Sequence, residues 1–124
     1  MGFSYEFIPM KKLALLLFAA AAISSWAADS QVKGYLVDLE CARDDAQRPD
    51  FGKTHARQCL QMPDCANSGY GVLTEDKKII RFDKAGNAQM KKFISTITKK
   101  NDLRVTVTGS VTGEEMTVSK IELQ

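Results

Sequence analysis

Four side chains able to do soft-metal or thiol chemistry fall in one stretch of the chain: Cys41, His55, Cys59 and Cys65, which are all of its cysteines and its only histidine. Three chemistries are open to such a group. All four can take one Zn²⁺ in a closed Cys₃His tetrahedron. Two of the cysteines can join in a disulfide and leave the third over. An imidazole beside the leftover thiol can lower its pKa and make it reactive, and Met62 nearby adds a thioether suited to Cu(I). The spacing is Cys-x₁₃-His-x₃-Cys-x₅-Cys, without the tight Cys-x₂-Cys knuckle of zinc fingers. Other chemistries lack their motifs. There is no Cys-x-x-Cys for dithiol exchange, no Cys-x-x-Cys-His for covalent haem and no Gly-x-Ser-x-Gly elbow for a serine hydrolase. A single histidine is too few for the His-rich hydrolase and blue-copper ligand sets.

The compartment weighs on this choice. Lys11 and Lys12 precede an apolar run from Leu13 to Ile23, and Ser25-Trp26-Ala27 places small residues where a signal peptidase reads. Residues 1–27 are therefore expected to be an export signal cleaved before Ala28. Met10-Lys11-Lys12 makes a more natural start than the acid-containing segment before it. The apolar run falls well short of the roughly 20 residues that span a bilayer, so no membrane anchor is expected after cleavage. A periplasmic or secreted location is oxidising, and there a disulfide is the expected fate of neighbouring cysteines.

Residues 28–124 are enough for one small domain with one core. The precursor carries 17 basic and 15 acidic residues. Removing Lys11, Lys12 and Glu6 with the signal leaves the charge near neutral with both signs interspersed. Nothing in that balance pulls on nucleic acid or anionic lipid.

The elements that must position the cluster follow from periodicity. Val32 to Leu39 partly alternates and is rich in strand formers, a first strand. A polar excursion over residues 40–69 follows, with turn punctuation at Arg43-Asp44-Asp45, Pro49-Asp50, Gly52 and Pro63-Asp64. Inside it Lys53 to Met62 is predicted to make two or three helical turns, with Thr54 as N-cap and Pro63 as stop. Tyr70 to Thr74 and Lys78 to Phe82 read as two short strands about a turn at Glu75-Asp76-Lys77, and Asp83 to Asn87 as a break. From Ala88 to Lys100, Met90, Phe93, Ile94 and Ile97 fall at i, i+3, i+4 and i+7, an amphipathic helix whose stripe is core. Leu103 to Gly109 and Met116 to Leu123 alternate with period two about Thr112-Gly113-Glu114, a terminal hairpin.

The order is strand, excursion, strand, strand, helix, strand, strand. Five strands with the main helix between the third and fourth is the order of the OB-fold, a five-stranded Greek-key β-barrel, so a mainly β fold of this kind is predicted. The runner-up is an open α+β sheet with one covering helix. Gly34 and Gly109 fit the sharp bends of a small barrel.

Gly34-Tyr35-Leu36-Val37-Asp38, then Cys41, His55, Cys59 and Cys65, a glycine-led strand, Val105-Thr106-Val107-Thr108-Gly109 and Val118-Ser119-Lys120-Ile121 together resemble small exported bacterial OB-fold-like proteins of unassigned function. Those proteins carry a Cys, His, Cys, Cys insertion after the first strand. In its strand pattern the chain is also similar to periplasmic OB-fold proteins proposed to bind small ligands. The resemblance implies fold and location rather than an activity.

On this scaffold the first two strands are antiparallel neighbours, so Cys41, after the first, lies near Cys65, before the second. A Cys41–Cys65 disulfide is the expected staple, with Cys41–Cys59 nearly as good a pairing by sequence. His55 and Cys59 then share a face of the short helix at i and i+4. Asp38, Glu40, Asp44 and Asp45 form an acidic edge at the same place, able to assist a metal but read first as solvated loop. Tyr35, Tyr70 and Phe82 are candidates for a ligand face, since aromatics on such barrels stack bases or sugars. The sequence thus predicts an exported binding or accessory module, not an enzyme, for a small ligand or a periplasmic protein and not for nucleic acid. The competing reading is a metal protein binding Zn²⁺ or Cu(I) through Cys41, His55, Cys59 and Cys65, and the third is a thiol-dependent redox enzyme.

Overall fold

The computed structural model describes residues 29–124. The predicted signal peptide lies outside the described residues. Five strands form one mixed sheet: β1 (Ser30–Asp38), β2 (Tyr70–Leu73), β3 (Ile79–Phe82), β4 (Arg104–Thr112) and β5 (Glu115–Leu123). Hydrogen-bonded neighbours run β1-β2-β3-β5-β4, and β4 pairs back onto β1. β1 therefore serves two neighbours. Its first half pairs with β4, from Ser30 opposite Gly109 to Tyr35 opposite Arg104. Its second half pairs with β2, from Tyr35 opposite Leu73 to Asp38 opposite Tyr70. The one parallel seam, β3 with β5, is two rungs long, Arg81 with Glu115 and Phe82 with Met116.

Two glycines make that arrangement possible where backbones approach too closely for a side chain. A Cβ at Gly34 would collide with the Leu73 carbonyl as β1 passes from one neighbour to the other. A Cβ at Gly109 would collide with the Thr117 carbonyl, at the register shift between Thr108 and Gly109 where β4 bends.

Four short helices fill the β1–β2 excursion: α1 (Leu39–Asp45), α2 (Phe51–Thr54), α3 (Arg57–Gln61) and α4 (Pro63–Ser68). The predicted single helix over 53–62 is corrected to two. His55 and Ala56 are extended (ψ 122° and 147°), so the helix breaks between Thr54 and Arg57, and Thr54 ends a helix rather than capping one. Pro63 stops α3 as anticipated but also opens α4, where its fixed φ and missing N–H suit the first turn.

The main helix, α5 (Lys84–Thr96), lies between β3 and β4 but begins four residues before its predicted start. Asp83 caps it by accepting from Gly86 N–H at 2.8 Å. The segment read as a break is thus a helix start. Lys99 and Lys100 fall beyond the helix end. The main core joins Leu36, Tyr70, Val72 and Phe82 from the first three strands to Met90, Ile94 and Ile97 of the helix segment and to Val105, Val107, Met116 and Val118 from the hairpin. A second cluster, Val37, Ala42, Ala46, Phe51 and Leu73, packs the excursion onto the outer side of β1 and β2.

Candidate functional site

The alternation of β1 sends Leu36 to the main core and Val37 to the second cluster, and ends the strand on Asp38, which is completely buried. A buried carboxylate needs hydrogen-bond donors, and the excursion supplies them. Asp38 is the N-cap of α1, its Oδ2 accepting from Cys41 N–H at 2.9 Å. His55 Nε2–H donates to its Oδ1 at 2.6 Å, with both side chains buried. The extended conformation at His55 that breaks the predicted helix is what lets its ring reach back across 17 residues. The ring is held there against Phe51, centroid to centroid 4.7 Å.

Cys41 sits in the first turn of α1 and Cys65 in α4, whose ends face each other across the base of the excursion. Leu39 N–H donates to the Gly69 carbonyl, Glu40 N–H to Ser68 Oγ, and Ser68 Oγ–H in turn to the Cys65 carbonyl at 2.6 Å. One carboxylate oxygen of Asp38 and the sulfurs of Cys41 and Cys65 lie within 4.8 Å of one another. Both thiols are free.

The electrostatics follow from burial and from that carboxylate. Burial alone would raise the Asp38 carboxyl, but hydrogen bonds from His55 and from Cys41 N–H outweigh it and hold the group below the usual aspartate value. The Cys41 thiol is pushed up to about 12 by burial and then by the negative charge of Asp38. Cys65 moves the same way for the same two reasons. The uncombined thiols are therefore protonated at neutral pH, which opposes a thiolate nucleophile. The arrangement can do two things: lose the thiol protons to an S–S bond or to a metal ion.

The residues singled out from sequence separate into those the fold gathers and those it does not. Cys41 and Cys65 come together at the junction of β1 and β2, as the antiparallel pairing requires. His55 joins them through Asp38 rather than as a member of the three-donor group. Cys59, on α3, is partly exposed and outside that group, and its i, i+4 relation to His55 disappears with the helix break. Met62 is exposed.

Of the ligand-face aromatics, Phe82 is a core residue, 4% exposed, and Tyr70, 2% exposed, lines a small cavity of about 240 Å³ with Gln61, Ala66 and Lys91. Tyr70 donates its hydroxyl to the Leu60 carbonyl at 2.8 Å, tying α3 to the sheet. Tyr35 reaches a surface cavity of about 380 Å³, lined also by Lys33, Leu73, Glu75, Arg104 and Gln124. The Arg104 guanidinium stands 5.3 Å from the Tyr35 ring centroid.

Sequence reasoning missed Asp38 as the centre of the cluster by grouping it with Glu40, Asp44 and Asp45. Those three are surface residues, and Arg43 and Arg48 pair with them. The signal that separates Asp38 was present: an acid at the end of an alternating strand, immediately before helix-forming residues, is an N-cap.

Comparison with protein-family models, with characterised proteins and with solved structures gives no match.

Proposed function

We propose that this chain is an exported OB-fold-like barrel that serves as a small binding or accessory module, with its β1–β2 excursion stapled by a Cys41–Cys65 disulfide. The barrel reading is supported by the pairing circuit that returns from β4 to β1 and by the position of α5 between β3 and β4. The observation that carries the staple is the approach of the two sulfurs to within 4.8 Å at the base of the excursion. Side-chain rotation and a small movement of α4 toward α1 bring them to the roughly 2 Å of an S–S bond. Asp38 keeps His55 and the Cys41 N–H as partners when the thiol protons are gone, so the oxidised cluster leaves no buried charge unpaired.

Binding is favoured by the cavity beside Tyr35, where an aromatic face and the cations Lys33 and Arg104 suit a small anionic or planar ligand. Intact mass of the full chain expressed with its leader and recovered from the export compartment tests the reading. Cleavage before Ala28 and a mass two hydrogens below the reduced value support it. A fully reduced chain, or one that retains residues 1–27, overturns it.

A further inference from the structure

The three-donor group at the base of the excursion is not the four-ligand set read from sequence. Its members are Asp38, Cys41 and Cys65, delivered by the end of β1, the first turn of α1 and α4. Bond lengths of about 2.3 Å to sulfur and about 2.0–2.2 Å to oxygen place two donors on one tetrahedral ion roughly 3.5–3.8 Å apart. The observed separations, all within 4.8 Å, need to contract by no more than about 1.0–1.3 Å. The support around the donors also resembles that of a metal centre. His55 Nε2–H and Cys41 N–H hold the two carboxylate oxygens in fixed orientation, as outer hydrogen bonds do for ligating carboxylates. Two sulfurs and one oxygen favour Zn²⁺ over Mg²⁺ or Ca²⁺, and three protein donors leave a fourth position for water or a ligand.

We propose that in the reduced chain Asp38, Cys41 and Cys65 bind a thiophilic divalent cation, Zn²⁺ in the first instance, and that forming the disulfide between the same two sulfurs expels it. Metal binding needs only the dithiol; its control by oxidation rests on the staple proposed above. On binding, the two thiols lose their protons to solvent and the thiolates become ligands. Oxidation by a small disulfide such as glutathione disulfide breaks that reagent's S–S bond and forms the Cys41–Cys65 bond. The protein sulfurs give up two electrons, two glutathione thiols leave with two protons taken from water, and the cation returns to solution.

The test titrates the fully reduced chain with Co²⁺ and then Zn²⁺ in oxygen-free solution. One equivalent of Co²⁺ should give a thiolate-to-cobalt charge-transfer band, with about two protons released per ion. Zn²⁺ should abolish the band, and excess Mg²⁺ or Ca²⁺ should leave it. Cys59→Ser should bind as the parent does. His55→Leu, which removes an outer hydrogen bond, should weaken binding roughly tenfold or more, and Asp38→Asn and Cys41→Ser more than that. The glutathione-disulfide-treated chain should not bind. Absence of the band from the folded, reduced parent overturns the proposal without reference to any variant. So does equal loss in Cys59→Ser and Cys41→Ser, or equal binding by the oxidised chain. A chain that arrives reduced from the export compartment yet binds Co²⁺ through these sulfurs overturns the staple and leaves the metal site standing.

Discussion

The sheet with its helix and the excursion between β1 and β2 are held together in opposite ways. In the former, apolar side chains from all five strands and α5 meet in one core, and the β4–β5 and β1–β4 ladders run along most of their strands. In the latter, four helices of four to seven residues are each too short to persist alone. Their order depends on a small apolar cluster, on Leu60 of α3 reaching into the main core, and on one buried carboxylate that gathers donors from α1 and from the break after α2. A region built on apolar area can lose one contact and stay folded. A region built on a polar centre fails when the centre is removed.

That contrast breaks most sharply at Asp38. Asp38→Ala leaves His55 and the Cys41 N–H without their acceptor and should cost about 3–5 kcal/mol in denaturant melts. Amide exchange should show the loss concentrated over residues 39–69. Uniform loss across β4 and β5 would mean that the two regions are one cooperative unit. Met90→Ala, in the main core, should cost about 2–5 kcal/mol but destabilise both regions together, since the excursion folds onto the sheet. The proposed Cys41–Cys65 bond would close a loop of moderate length, so its reduction should cost roughly 3 kcal/mol by the loop-entropy model. Melts with and without reductant measure it, and Cys59→Ser should not change that difference.

Acid provides a reagentless version of the first experiment. Because Asp38 is held below the ordinary aspartate value of 3.8, its contribution is fully present above that value and disappears as pH falls through the lower native one. Exchange protection over residues 39–69 should therefore collapse under strongly acidic conditions, before the β4–β5 hairpin opens. Simultaneous loss would count against Asp38 as the local centre. The smallest effect is expected at the surface, where Arg43→Ala removes exposed ion pairs to Glu40 and Asp44 and should change stability by less than about 0.5 kcal/mol.

The two regions also differ in how much of them can be read from sequence. β4 and β5 and, in part, β1 are written in period-two alternation, and both hairpin turns fall where turn residues cluster. Lys77 and Gly113 take the positive φ those turns need, 65° and 62°. Helix α5 was recognisable from Met90, Phe93, Ile94 and Ile97, while both its limits, the capped start at Asp83 and the end at Thr96, were not. The excursion resists such reading because its helices are too short for a 3.6-residue pattern to repeat. Their limits are set by tertiary contacts: Arg57 N–H donates to the Lys100 carbonyl and Asp102 N–H to the Lys53 carbonyl, both far away in sequence. At the site, the proximity of Cys41 to Cys65 was legible because antiparallel pairing dictates it. Asp38 was readable as an N-cap from its place between strand and helix, but not as a buried centre, because the partners that bury it, His55 and the Cys41 N–H, are brought to it only by the folded excursion.

The seam between β3 and β5 is the shortest in the molecule, and in the proposed barrel the sheet has no free edge only while that seam holds. A momentary parting there bares two strand edges able to pair with a neighbouring molecule. The residues flanking the gap answer that hazard. Arg81 projects from β3 beside Glu114 and Glu115, close enough to pair with both carboxylates across the seam. When the seam opens, these charges stand on the newly exposed edges, where another chain can dock only by burying them. The point at which this fold is easiest to open is thus also guarded against self-association.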